Sequence, residues 1–69
     1  MTAADVERLV RSVIVEHALP FTLVSVGSVR PGWNVTVRSD TGELVKFPLP
    51  DGRPVDMRTT VAAILEAHE

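Results

Sequence analysis

The sequence predicts an α+β fold: a two-layer sandwich in which two helices pack on one face of a three-stranded antiparallel meander, in the order α-β-β-β-α. Three observations predict it. Apolar residues recur at three- and four-residue spacing at both ends of the chain, the period of a helical face. Between those ends, two alternating runs, Trp33 to Ser39 and Glu43 to Phe47, flank the loop-forming triplet Asp40-Thr41-Gly42. Pro20 and the cluster Pro48, Pro50, Asp51, Gly52 and Pro54 separate the periodic stretches. An amphipathic helix and a one-sided sheet each need a partner layer, and covering one with the other satisfies both.

The first helix carries Val6, Leu9, Val10, Val13, Ile14 and His17 on one face. Thr2 followed three residues later by Asp5 has the form of a capping box with Asp in place of Glu. Glu7 and Arg11 stand four apart, in the favourable order for an ion pair on the outer surface. Pro20 is the expected stop, because its ring clashes with a helical residue before it. From Phe21 to Val29 the composition turns to Thr, Val and Leu, which suits a pleated strand. Gly27 interrupts the alternation. A bulge at Gly27-Ser28 would bring Val24, Val26 and Val29 to one side. Arg30-Pro31-Gly32-Trp33 reads as the following turn.

The second hairpin can be placed in register. With Trp33, Val35 and Val37 facing inward, their partners are Leu49, Phe47 and Val45. Asp40-Thr41-Gly42 is then a three-residue loop, with Gly42 at the left-handed position that closes such loops. The outward set is Asn34, Thr36 and Arg38 opposite Pro48, Lys46 and Leu44. Helix two follows with Met57, Val61, Ile64, Leu65 and His68 on one face, starting either with Pro54 at the first helical position or with Asp56 as cap.

At 69 residues the chain is read as a single small α+β domain, 1–69. There is no cysteine, so no disulfide and no thiolate metal site. No apolar run has the length of a membrane span, and Met1-Thr2-Ala3-Ala4-Asp5 lacks the basic start of a secretory signal, so a cytoplasmic location is expected. A net charge of −2 gives no global attraction to nucleic acid or anionic lipid.

Catalytic patterns are missing from the sequence. His17 and His68 each lie late in a helix without a cluster of further ligands, and the four serines show no nucleophile elbow. Pro50-Asp51-Gly52 is a turn, with neither the Walker pattern nor the dinucleotide fingerprint around it. No enzyme activity, cofactor or metal is expected. Trp33, Phe21 and Phe47 read as core, which leaves no aromatic on the outer sheet face for stacking bases.

Two features remain for a partner. Strand one runs Phe21-Thr22-Leu23-Val24-Ser25-Val26 without charge or proline, and as a sheet edge it invites another strand. Pro48 and Pro50 blunt the opposite edge. Arg53 and Arg58 stand at the start of helix two, where a dipole attracts anions; either they form an anion site, or Asp51 and Asp56 neutralise them.

Helix, three-strand meander and helix in about seventy residues resembles the double-stranded-RNA-binding domain family across nearly the whole chain. In that family a Lys-rich stretch at the start of the second helix grips phosphates; the corresponding segment here is Arg53-Pro54-Val55-Asp56-Met57-Arg58, with two cations and an acid between them. The loop that enters the minor groove corresponds to Arg30-Pro31-Gly32-Trp33, with Pro-Gly in reversed order and no histidine. Glu7 and Arg11 of helix one would be its other groove contacts. The resemblance implies the α-β-β-β-α fold and duplex-RNA binding; shared architecture alone does not transfer function.

The expectation from sequence is therefore a non-enzymatic interaction module that self-associates or binds another protein through the edge of strand one, at Thr22, Leu23, Val24, Ser25 and Val26. The alternative is nucleic-acid backbone binding through Arg30, Arg38, Lys46, Arg53 and Arg58.

Overall fold

The computed structural model describes residues 2–30 and 32–68. Its elements are α1 (Ala3–Glu16), β1 (Phe21–Val29), β2 (Gly32–Ser39), β3 (Leu44–Leu49) and α2 (Pro54–Ala67). The three strands form one antiparallel sheet in the order β1-β2-β3, which makes β1 and β3 its edges. α1 packs on β1 and against α2, and α2 packs on β3. The core between the layers is built from Val6, Leu9, Val10 and Val13 of α1, Leu19, the inward strand residues Phe21, Val35, Val37, Phe47 and Leu49, and Met57, Val61 and Leu65 of α2. All are apolar, and no charged side chain is buried among the described residues.

α1 starts on the expected capping box. The Asp5 N–H donates to Thr2 Oγ1 at 3.3 Å and the Thr2 N–H donates to Asp5 Oδ2 at 2.9 Å, so two otherwise orphaned donors are satisfied reciprocally. Those bonds from Thr2 stabilise the carboxylate and hold the Asp5 carboxyl below its ordinary value. The far end differs from expectation. α1 closes ahead of Pro20 in a Schellman motif: Ala18 N–H donates to Val15 O at 3.2 Å and Leu19 N–H to Ile14 O at 3.0 Å. Ala18 takes the left-handed position with φ +49°, where glycine is the usual residue. Pro20 lies beyond the closure, and its carbonyl accepts from the Asp40 N–H at 3.0 Å.

The β2–β3 hairpin has the expected register: Trp33 opposes Leu49, Val35 opposes Phe47, and Val37 opposes Val45. Its loop closes through Ser39 N–H to Glu43 O at 2.8 Å and Gly42 N–H to Ser39 O at 3.0 Å, with Gly42 at φ +89°. The β1–β2 connection is tighter than the four-residue turn read from the sequence, because Val29 already pairs with Gly32; Pro31 lies outside the described residues. Gly32 is needed for a second reason. A Cβ there would stand 2.5 Å from the Leu49 carbonyl oxygen, and the backbone sits at φ +125°.

The bulge in β1 is not at Gly27-Ser28. Gly27 pairs regularly with Asn34, and the register shifts between Leu23 and Ser25, leaving Val24 as the extra residue. Side-chain parity explains the site. Phe21 and Leu23 face the core before the shift and Val26 faces it after, so the strand changes parity between them. Val24 and Val29 do not join Val26 and are 48% and 40% exposed.

Trp33 faces inward and packs against the core, partly buried, with its indole Nε1 shut off from solvent and unpartnered. α2 begins with Pro54 at its first position; Arg53 is the N-cap, extended at φ −72° and ψ 146°, and its side chain makes no cap hydrogen bond. Asp56 is therefore not the cap. It lies within the first turn, where its Oδ2 accepts from Arg53 Nε at 3.1 Å.

Candidate functional site

The five cations read as one anion-binding set do not share a surface. Arg38 and Lys46 project from the sheet face that the helices leave uncovered: Arg38 opposes Leu44, and Lys46 opposes Thr36 on the neighbouring pair. Arg30 is exposed in the turn after β1. Arg53 and Arg58 belong to the helical layer, and both have carboxylate partners. Arg53 pairs with Asp56. Arg58 turns away from the start of α2 and crosses to α1, where Nη2 pairs with Glu16 and Nη1 donates to Ser12 Oγ at 3.1 Å. Asp51 neutralises neither; its Oδ1 accepts from the Gly52 N–H at 3.0 Å. The arginine contact joining α1 to α2 spans 42 residues of sequence, and no local pattern announces it.

The outward strand positions carry Thr22, Ser25, Gly27, Val29, Gly32, Asn34, Thr36, Arg38, Leu44, Lys46 and Pro48, and no carboxylate. A shallow depression on this face is lined by Asn34, Thr36, Lys46, Phe47 and Pro48. The acids among the described residues sit on the helices and loops instead.

The residues of the proposed strand-one edge divide between two directions. Leu23 and Val26 point to the core and are half-buried, while Thr22, Val24 and Ser25 are exposed. Among the described residues no strand pairs with β1 on its outer side. Which main-chain groups are free follows from the ladder. Asp40 N–H bonds to Pro20 O, so that opposed pair is a bonded one, and bonded pairs alternate along an antiparallel ladder. Phe21 and Leu23 are then non-bonded pairs with Ser39 and Val37, and their N–H and C=O groups are directed away from β2.

Above this edge lies a groove lined by Arg11, Ile14 and Val15 of α1 and Phe21, Thr22 and Leu23 of β1. Val15 is 77% exposed, the most exposed large apolar side chain among the described residues. The expected Glu7–Arg11 pair does not form, and Arg11 makes no ion pair among the described residues. Sequence reasoning missed Arg11 and Val15 as wall residues. The available signal was Val15 itself, an apolar residue set off the inward stripe of α1.

The two histidines are engaged within the helical layer. His17 Nδ1 lies 3.3 Å from Glu66 Oε1, and His68 Nδ1 lies 2.8 Å from the Ile64 carbonyl oxygen. Among the described residues no three His, Cys, Asp or Glu side chains gather as a metal site, and no helix is long and apolar enough to cross a membrane.

No family model, curated protein or solved structure matches this chain. The likeness to the double-stranded-RNA-binding domain therefore rests on element order and strand topology alone.

Proposed function

We propose that this chain is a non-enzymatic interaction module that receives an extended polypeptide segment, from a second copy or another protein, along the open edge of β1. The observation that carries this reading is the coincidence of free main-chain groups at Phe21 and Leu23 with the adjoining apolar groove beneath Ile14 and Val15. Strand addition takes its affinity from main-chain bonds and its selectivity from pockets for alternate side chains, and both are present at one place. The bulge at Val24 limits the regular part of the edge to the residues before it, since a bulge twists an edge out of line.

The test is site-specific photo-crosslinking in the cell of origin, with the photoreactive residue at Val15 or Thr22 on the groove and at Lys46 on the outer sheet face. Protein adducts at Val15 and Thr22 but not at Lys46 support the edge. Adducts at Lys46 alone would reject it.

A second reading, phosphate-backbone binding, is favoured by the carboxylate-free outer face, and it narrows to Arg38 and Lys46 with Arg30 at the margin. Two phosphate contacts on single-stranded nucleic acid would give a slope of about −1.4 in a plot of log affinity against log salt. Retained binding in Arg38→Glu with Lys46→Glu would exclude that face.

A further inference from the structure

We propose that the segment received at β1 comes from a different protein and presents an apolar side chain and a carboxylate two residues apart, the apolar group for the Val15 end of the groove and the carboxylate for Arg11. This rests on the edge reading above and specifies its occupant.

Charge is the first argument. Arg11 is the one charged residue among the groove lining, it has no ion partner among the described residues, and Glu7 one turn away does not reach it. A guanidinium beside a partly desolvated groove binds a carboxylate better than it binds water alone, through charge-assisted hydrogen bonds.

Spacing is the second. Arg11 and Val15 are one turn apart on α1, a rise of about 6 Å. On an incoming strand, side chains on the same face recur every two residues, about 6.8 Å. An apolar-x-acidic segment, or its reverse in the opposite strand direction, therefore places one group against Val15, Ile14 and Phe21 and the other at Arg11.

Symmetry argues against a second copy. A twofold dimer presents the same patch from both subunits. In such a dimer the strand laid along each groove is the mate's β1, and β1 (Phe21–Val29) carries no carboxylate to answer Arg11. The uncharged edge Phe21–Val26 can accept a neutral strand, but as a ligand for the groove it lacks the acid.

The experiment is a displayed library of random heptapeptides selected on the whole protein and on Arg11→Glu, with helix content of both checked by circular dichroism. The expected result is enrichment of apolar-x-Asp/Glu or its reverse on the natural protein, and replacement of the acid by Lys or Arg on Arg11→Glu. A synthetic peptide of the enriched sequence should perturb the amides of Phe21 and Leu23, and changing its acid to Lys should weaken binding about tenfold or more. Val15→Glu, which offers Arg11 an internal carboxylate one turn away, should weaken the same peptide. Enriched peptides without an acid, or the same peptides on Arg11→Glu, would overturn the proposed occupant while leaving the edge in use. A dimer in sedimentation that Val15→Glu dissociates would identify a second copy as the occupant and also overturn it. Peptides that leave the Phe21 and Leu23 amides unmoved, or no enrichment at all, would remove the edge reading itself.

Discussion

Arg53→Thr should stabilise this protein, and the reason is visible by comparing its two helix starts. Thr2-Ala3-Ala4-Asp5 closes a capping box, whereas Arg53-Pro54-Val55-Asp56 has the same spacing and the same acid but a cap residue that cannot accept. Both cap residues are extended, Thr2 at φ −104° and ψ 168° and Arg53 at φ −72° and ψ 146°, so threonine fits the second site without moving the backbone. A cap hydroxyl contributes about 1 kcal/mol over a residue without one. Removing a cation from a helix N-terminus adds a few tenths, roughly 0.3 kcal/mol or more. Against this stands the lost Arg53–Asp56 pair. Its side chains are 80% and 62% exposed, and solvent screening limits such a pair to about 0.3–0.5 kcal/mol. The cap term wins, and the net gain is about 1 kcal/mol, which for a domain of this size raises Tm by about 4–8 °C. The assay is thermal and urea unfolding of the natural protein, Arg53→Thr and Arg53→Val. The valine variant deletes the ion pair without supplying a cap and should be no more stable than the natural protein. Equal or lower stability of Arg53→Thr at an unchanged urea m-value would refute the capping argument.

Four further outcomes can be checked on the same preparations. Ala18→Gly relieves an L-residue held at φ +49° and should raise stability by about 0.5–1 kcal/mol in urea unfolding. Gly32→Ala sets a Cβ 2.5 Å from the Leu49 carbonyl at φ +125° and should cost about 1–3 kcal/mol, with the largest amide shifts at Leu49 and Asp51. The Trp33 indole N–H is shielded and unpartnered, so it should exchange slowly with solvent and iodide should quench its emission far less than that of free tryptophan. The Asp5 carboxyl is lowered by its bonds from Thr2, so its contribution is fully present above 3.8 and is lost as pH falls through the lowered value; the difference in urea midpoint between the natural protein and Thr2→Val should shrink on that acid side.

The hairpin β2–β3 was legible because two separate signals coincide there, the alternation of Trp33, Val35 and Val37 and a loop with glycine at its last position. β1 was less so. Phe21, Leu23, Val24 and Val26 place apolar residues on both parities, and only the position of α1 above the strand decides that Val24 is the one left out. The glycine at 27 suggested a bulge by composition, but no parity change was needed there. The end of α1 was hidden because alanine in a left-handed cap has no compositional mark. The same holds for Arg58, whose partners Ser12 and Glu16 lie on the other helix; of the two local acids read as neutralising the arginine pair, Asp56 does so for Arg53 and Asp51 bonds to the Gly52 N–H instead. At the candidate site the uncharged edge could be read from residues, whereas the groove required knowing which side of α1 overhangs β1.

The separation of acids from the outward strand positions gives the molecule a marked polarity across its thickness. Its composition sets an isoelectric point of about 5.6, above which the chain is an anion in bulk, yet its outward sheet face offers a sulfonated resin only the cations Arg38 and Lys46. Retention would be oriented, with the strands against the bead and both helices facing the mobile phase, so elution order on such a column would follow one side of the protein and not its total charge.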